Sequence, residues 1–310
     1  MILLWGVPGD SPLAAVREAL EEQGAGAAFL DQHLAPETEI DLSIDSSLEG
    51  ELRCRSLRIS FASITAAYIR PYDSRRILEL AKTYPGSGVR DQALELEDAL
   101  VSWAELSPGL VINRPSAMAS NNSKPYQGQL IRSLDFEVPE TLVTTDPQAV
   151  LEFLEQCGSV VYKSVSGIRS IVSRLSQDRL DDLKDVAHCP TQFQEYISGA
   201  DYRVHVVADE VYACEIVSAA DDYRYGFSQG AAVEIRPARL STALEDRCRH
   251  LATQLGLAVA GIDLRRTHDD HWYCFEVNPS PGFTYYEEAT GQPIADAVAR
   301  LLMSSDRRDA

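Results

Sequence analysis

The chain opens on an apolar run, Ile2 to Trp5, that breaks at Val7-Pro8-Gly9-Asp10-Ser11-Pro12. An uninterrupted apolar run of this length predicts a buried strand. Asp10 or Ser11 is placed to cap a helix with Pro12 in its first turn, and Gly24 suits the helix end. Ala27 to Leu30 supplies a second strand, so the opening reads as a βαβ start. Gly6 and Gly9 lie in the first loop without a G-x-G-x-x-G pattern, so a dinucleotide-binding site is unsupported. Alternating apolar positions between 40 and 62 (Ile40, Leu42, Ile44; Leu57, Ile59, Phe61) predict edge strands. Ile64 to Ile69 predicts another strand, ending at Arg70. Helices are expected over 73–83 and 90–106, then a short strand at 110–112. A first domain boundary falls near residue 115, giving domains 1–114, 115–190 and 191–310.

Beyond that boundary the period changes several times. Residues 123–134 are helical in pattern, a strand starts near Thr141, and Asp146-Pro147 opens a helix through Cys157. Val160 to Lys163 is strand-like and runs into Ser164-Val165-Ser166-Gly167-Ile168-Arg169-Ser170. Three strands follow, at 192–197, 202–207 and 211–217, with a turn at Asp209-Glu210 between the last two. Leu244 to Leu255 is an amphipathic helix ended by Gly256. Strands at 258–264 and 272–277 flank the polar turn Thr267-His268-Asp269-Asp270, and a last helix covers 292–303. The mixture defines an α/β fold class with several lobes.

Composition narrows the class without naming it. Of 310 residues, 45% are hydrophobic and 24% charged, the balance of a globular protein. No stretch approaches the ~20 apolar residues of a membrane helix. The N-terminus lacks a basic region before its apolar run and reads as a strand, not a secretory signal. The six cysteines are scattered with no C-x-x-C pair, which suits reduced thiols and a cytoplasmic protein. A net charge of -19 disfavours a nucleic-acid-binding face. It suits a basic peptide partner, or equally a surface that only maintains solubility.

The densest chemistry is Asp263, Glu276 and Asn278. Residues two apart on a strand share a face, so Glu276 and Asn278 project together, and a hairpin brings Asp263 opposite. Three hard oxygen donors on one sheet surface suit Mg²⁺ bridging nucleotide phosphates. Solvated strand ends are the plainer alternative. Lys163 ends an apolar strand beside the small-residue loop 164–170, whose backbone N–H groups are open to phosphate. Lys124 opens a helix, where a cation is mildly unfavourable unless an anion sits nearby. Either lysine alone also reads as a solvated side chain. Residues 192–203 form a strand breaking into a linker whose backbone can meet an adenine edge, with Asp201 near a ribose and Arg203 near phosphates. A plain strand-turn-strand explains that segment equally well. His205 reads as a packed or solvated residue.

The order of these pieces resembles the ATP-grasp superfamily, particularly its ribosomal-protein glutamate ligases and microviridin-type peptide macrocyclases. The resemblance covers residues 113–301. It rests on Lys124, Lys163, Gln194-Glu195-Tyr196-Ile197, Gly199, Asp201, Asp222-Tyr223-Arg224, Gly261-Ile262-Asp263 and Phe275-Glu276-Val277-Asn278-Pro279-Ser280-Pro281-Gly282. It implies an ATP-grasp fold with an N-terminal βαβ pre-ATP-grasp domain and two lobes clasping ATP. It implies a ligase that activates a carboxylate as an acyl phosphate for attack by an amine or hydroxyl, with ATP and Mg²⁺ as cofactors. A small-molecule kinase of the same fold is the alternative of another class. Carried over, Lys124 and Lys163 are phosphate lysines, and Glu195, Tyr196 and Ile197 are the adenine hinge. Asp201 is the ribose contact, Asp263, Glu276 and Asn278 are the Mg²⁺ ligands, and Arg224 and Arg203 are the catalytic cations. The implied partners are a small-molecule or peptide substrate, including a precursor peptide on the N-terminal domain, and a homo-oligomer is compatible with it. Two departures stand out. The phosphate loop at 166–170 is shorter than in the glutamate ligases, and Arg224-Tyr225-Gly226 replaces their Arg-x-Asn.

Overall fold

A computed structural model describes residues 1–45, 47–77, 88–165, 172–218 and 233–306. The first sheet is parallel, in the order β2-β1-β6-β7: β1 (Ile2–Gly6), β2 (Ala27–Asp31), β6 (Ala66–Arg70) and β7 (Leu110–Ile112). Every residue of β1 is buried, as a central parallel strand covered on both faces requires. Helix α1 (Ser11–Glu22) covers one face, capped by Asp10, whose side chain accepts from Leu13 N at 2.9 Å. Helix α2 (Val89–Leu106) covers the other, with Trp103 buried against Phe61.

The segment expected to give edge strands forms a separate three-stranded antiparallel sheet. It comprises β3 (Thr38–Ile44), β4 (Leu48–Cys54) and β5 (Leu57–Ser60), with β4 in the middle. Alternation reports that one face is buried, and here Leu52, Cys54 and Ile59 bury it on the α2 side of the first sheet. Periodicity alone does not say which sheet a strand joins. Of the expected helix at 73–83, Ser74–Arg76 is a single 3₁₀ turn, and 78–83 lie outside the described residues.

The central sheet runs β10-β9-β11-β8: β8 (Thr141–Thr144), β9 (Val160–Ser164), β10 (Ser173–Arg174) and β11 (Thr191–Glu195). Helix α4 (Pro147–Cys157) packs Val150 and Phe153 against Val160 and Phe193. A 3₁₀ stretch, Gln177–His188, has no counterpart in the sequence pattern. The strand expected to reach Ile197 stops at Glu195. Tyr196 N still donates in register to Ser159 O at 2.9 Å, and it is at Ile197, whose O accepts from Arg265, that the chain turns to the third sheet.

The third sheet is antiparallel, in the order β14-β13-β12-β15-β16: β12 (Ala200–Val207), β13 (Glu210–Ser218), β14 (Val233–Ala238), β15 (Val259–Arg266) and β16 (Trp272–Asn278). Helices α3 (Lys124–Ser133) and α5 (Thr242–Gln254) cover one face through Ile131, Leu244, Cys248 and Leu251. Thus α3 packs on the third sheet although it precedes the central one, and β11 pairs in the central sheet although it follows residue 190. The final helix begins at Ile294, not 292. A separate short helix, α6 (Thr284–Thr290), precedes it and ends at Gly291 in the left-handed region (φ 69°), where glycine carries no Cβ penalty. Helix α7 (Ile294–Asp306) packs Val298 and Leu302 into a core shared by Ile2 and Leu4 of the first sheet and Val207 and Val259 of the third. Among the described residues no helix is long and apolar enough to cross a membrane.

Candidate active site

Register along β12, β15 and β16 brings the acids and arginines together. Arg203 lies opposite Asp263, Asp201 opposite Arg265, and Asp263 opposite Glu276. The first two pairs close as ion pairs of 2.7 Å each. Arg203 is buried, whereas the Asp263 side chain stays 23% exposed towards a cleft. The Arg203 Nε donates to His205 Nε2 at 3.3 Å, so His205 accepts there as a neutral ring. Burial, reinforced by the Arg203 charge, pushes the His205 pKa well below its ordinary value. A Cβ at position 261 would strike the Arg203 guanidinium and Pro281, which is why glycine stands there.

On β16 the ladder slips between Asp263 and Leu264, whose partners are Glu276 and Cys274, leaving Phe275 as the extra residue of a bulge. Phe275 and Glu276 consequently both line the cleft, while Cys274 and Val277 face the core. Lys124, at the first position of α3, meets Glu276 at 2.6 Å. The carboxylate supplies the anion that its helix N-terminal position calls for. Asn278 sits opposite Gly261, one row beyond, with its Oδ1 accepting from Ser280 N at 2.9 Å. Burial raises two thiols of this sheet: Cys214, opposite Arg203 on the same face, to about 11, and Cys274, in the core on the other face, well above the ordinary value.

Across the cleft, Lys163 of β9 donates to Gln194 Oε1 at 3.3 Å, and Gln194 Nε2 donates to Thr141 Oγ1 at 3.1 Å. The cleft is open to solvent and holds about 110 Å³. Lys163, Glu195, Tyr196, Ile197, Asp201, Asp263 and Glu276 all open onto it. A second cleft shares Lys163, Gln194 and Phe275 with the first and takes in Lys124. Arg203 and Asn278 are not on the wall but are tied to it, Arg203 through Asp263 and Asn278 through its strand. Arg224 and residues 166–170 lie outside the described residues.

Two arginines were missed in the sequence. Arg265 donates to Asp201 and to Ile197 O, each at 2.7 Å, joining the linker to the third sheet. Arg174 stacks over the Tyr196 ring at 3.8 Å from its centroid. Arg265 had a usable signal, being two residues from Asp263 on the same strand face. Arg174 had none. It follows a segment outside the described residues and belongs to a two-residue strand.

Among the described residues no group of three or more His, Cys, Asp and Glu could hold a metal ion. The candidate set is two carboxylates and an amide, hard oxygen donors that would suit Mg²⁺ bound by few protein groups beside a nucleotide. A site built only of carboxylates is not needed for that mode.

This is the layout of a nucleotide clasp between two sheets, and comparison with known proteins gives the family. The RimK-like ATP-grasp domain matches residues 121–302, and the chain belongs to that family. A "Probable alpha-L-glutamate ligase" of Vibrio cholerae is 30% identical over 204 residues, 61% of this chain. The match spans 66% of that relative, just under two thirds of its length. One of Pseudomonas aeruginosa is 29% identical over 66% of this chain and 70% of its own. Likeness to solved structures extends across the whole molecule. The ATP-grasp ligase PsnB, solved with a variant of its minimal precursor, Mg and ADP, covers 98% of both chains at 26% identity with a TM-score of 0.81. The macrocyclase MdnC of Microcystis aeruginosa, bound with precursor peptide MdnA, shares the fold at 22% identity and a TM-score of 0.82.

Proposed function

We propose that this chain is an ATP- and Mg²⁺-dependent ligase that joins a carboxylate to an amine or hydroxyl on a peptide. The observation that carries the reading is the single cleft onto which Lys163, the 195–197 linker, Asp201, Asp263 and Glu276 all open. In it, the backbone of 195–197 meets adenine, Asp201 meets the ribose, and Lys163 and Lys124 meet phosphates. Asp263, Glu276 and Asn278 would hold Mg²⁺, which would supply charge neutralisation to the phosphates. Lys124 sits on Glu276, one of the candidate metal residues, which puts its ammonium beside the place proposed for the phosphates. A substrate carboxylate oxygen bonds to the γ-phosphorus of ATP as the bond to ADP breaks. The amine or hydroxyl then attacks the acyl carbon, loses its proton, and phosphate leaves. Such transfer needs positioning and charge neutralisation, not a nucleophilic side chain. Arg203, buried and committed to Asp263, is suited to orienting that carboxylate. We therefore assign the developing charge to Arg224. Arg224→Lys should keep ATP affinity and lose about a hundredfold in turnover, as for a removed transition-state donor; normal coupling would remove the role.

A peptide substrate is favoured over a free amino acid because likeness to PsnB spans 98% of the chain, whereas the glutamate-ligase relatives match 61% and 66% of it. Residues 1–114 are in this reading the substrate-side domain. A cytoplasmic setting is supported by the six unpaired cysteines, which suit a reducing compartment, and by the need for ATP. The test is incubation with ATP, Mg²⁺ and a candidate peptide encoded beside the gene. A ligase releases ADP and free phosphate, and the peptide loses one water per link formed. Phosphate retained on the peptide would instead make the protein a kinase. A mass gain of one glutamate residue from free glutamate would make it a glutamate ligase.

A further inference from the structure

The segment carrying the candidate metal residues is held by polar side chains from three other elements. Gln127 of α3, 2% exposed, pairs its amide with both backbone groups of Val277, donating to O at 2.8 Å and accepting from N at 3.0 Å. Asn113, also 2% exposed, donates to Pro279 O at 2.5 Å and to Val259 O at 2.7 Å, tying β15 to the exit from β16. Arg70, at the carboxyl end of β6, donates from Nη1 to Ser280 Oγ at 2.9 Å and to Pro281 O at 3.2 Å. Ser280 N in turn donates to Asn278 Oδ1.

Arg70 has a fixed address. Its Nε and Nη2 donate to Asp10 at 2.6 and 3.2 Å, and Asp10, 5% exposed, is also the cap of α1. Tyr72 donates its hydroxyl to the same carboxylate at 3.4 Å. These residues lie at the carboxyl ends of β1 and β6. There the parallel sheet changes direction, β2 lying on one side of β1 and β6 on the other. Such a switch point is where doubly wound sheets place their functional groups. Here it abuts the loop after Asn278.

We propose that Arg70, anchored by Asp10, is a positioning residue that sets the Asn278–Pro281 turn, so that the first domain fixes the geometry of the metal amide. The inference rests on the metal reading above. Its residues touch neither nucleotide nor metal and act by fixing Ser280 and, through it, the Asn278 carboxamide. Outer partners of metal ligands commonly matter by about 10–100-fold in metal affinity.

The test measures Mn²⁺ binding to the ADP complex of the full chain by electron paramagnetic resonance, and ADP binding in EDTA by calorimetry. Arg70→Lys retains a charge for Asp10 but cannot also span to Ser280 and Pro281. It should weaken Mn²⁺ about tenfold while ADP affinity without metal stays within about twofold. Ser280→Ala removes only the hydroxyl acceptor and should shift Mn²⁺ affinity the same way by about threefold. If Arg70→Lys fails to fold, Ser280→Ala decides. Mn²⁺ affinity unchanged in every folded variant overturns the inference, provided Glu276→Gln abolishes Mn²⁺ binding. Wild-type Mn²⁺ affinity in Glu276→Gln would instead remove the metal assignment, and the inference with it.

Discussion

The two sheets that face the cleft are built on opposite plans. On the third sheet the charges at and beside the cleft meet opposite charges: Asp263 with Arg203, Asp201 with Arg265, and Glu276 with Lys124 of α3. On the central sheet Lys163 donates to Gln194, which in turn donates to Thr141, over a small core around Phe193. Charges locked in a half-buried face resist displacement, because moving one leaves its partner uncompensated. A bond between uncharged groups, such as Gln194 to Thr141, rearranges at a cost nearer ~1 kcal/mol. The face proposed to hold a metal is therefore fixed by ion pairs, whereas the Lys163–Gln194–Thr141 chain of the facing sheet is joined by hydrogen bonds.

Four substitutions probe that contrast, the largest effect first. Glu276→Gln removes one metal carboxylate and should lower turnover by at least about 10³-fold, while melting without nucleotide moves by only a few degrees. Full activity in steady-state assays would cancel the metal role. Arg203→Met leaves Asp263 without its buried cation and should cost about 3 kcal/mol in urea unfolding, the low end for a broken buried pair because Asp263 still reaches solvent. A loss below about 1 kcal/mol would show that the ladder does not hold the sheet face. Lys163→Met should weaken ADP binding about tenfold, yet change stability by less than about 1 kcal/mol. Equal losses in both measurements would erase the contrast between the sheets.

The smallest effect is a pH dependence. Burial and Arg203 hold the His205 pKa below its unfolded value of about 6.5, so in mild acid the unfolded chain binds a proton that the folded chain refuses. This contribution to stability is complete above that value and falls as pH drops through it, by about 0.7 kcal/mol between pH 7 and 6. Unfolding curves of wild type and His205→Gln at the two pH values should differ by that amount. Parallel curves would mean that His205 is solvated in the native state.

What the sequence by itself determined was set by local rules. Asp10 and Asp146 cap the helices they precede, the apolar runs became strands, and the polar ends of Val160 to Lys163 and of the 258–277 hairpin pointed to the cleft residues. These follow from side-chain period, capping and turn chemistry, which act over a few residues. Long-range partnerships were decided only in three dimensions. Nothing in the spacing showed that 38–60 forms its own sheet, that β11 joins the central lobe, or that a bulge turns Phe275 and Glu276 to the same side. Nor did it show that Arg265 clamps Asp201, that Glu276 waits on Lys124, or that Arg70 reaches 210 residues along the chain to Ser280. A charged residue in a sequence carries its valence but not its partner. Partners are chosen by strand register and by which faces must be buried together, quantities that exist only once the whole chain has packed.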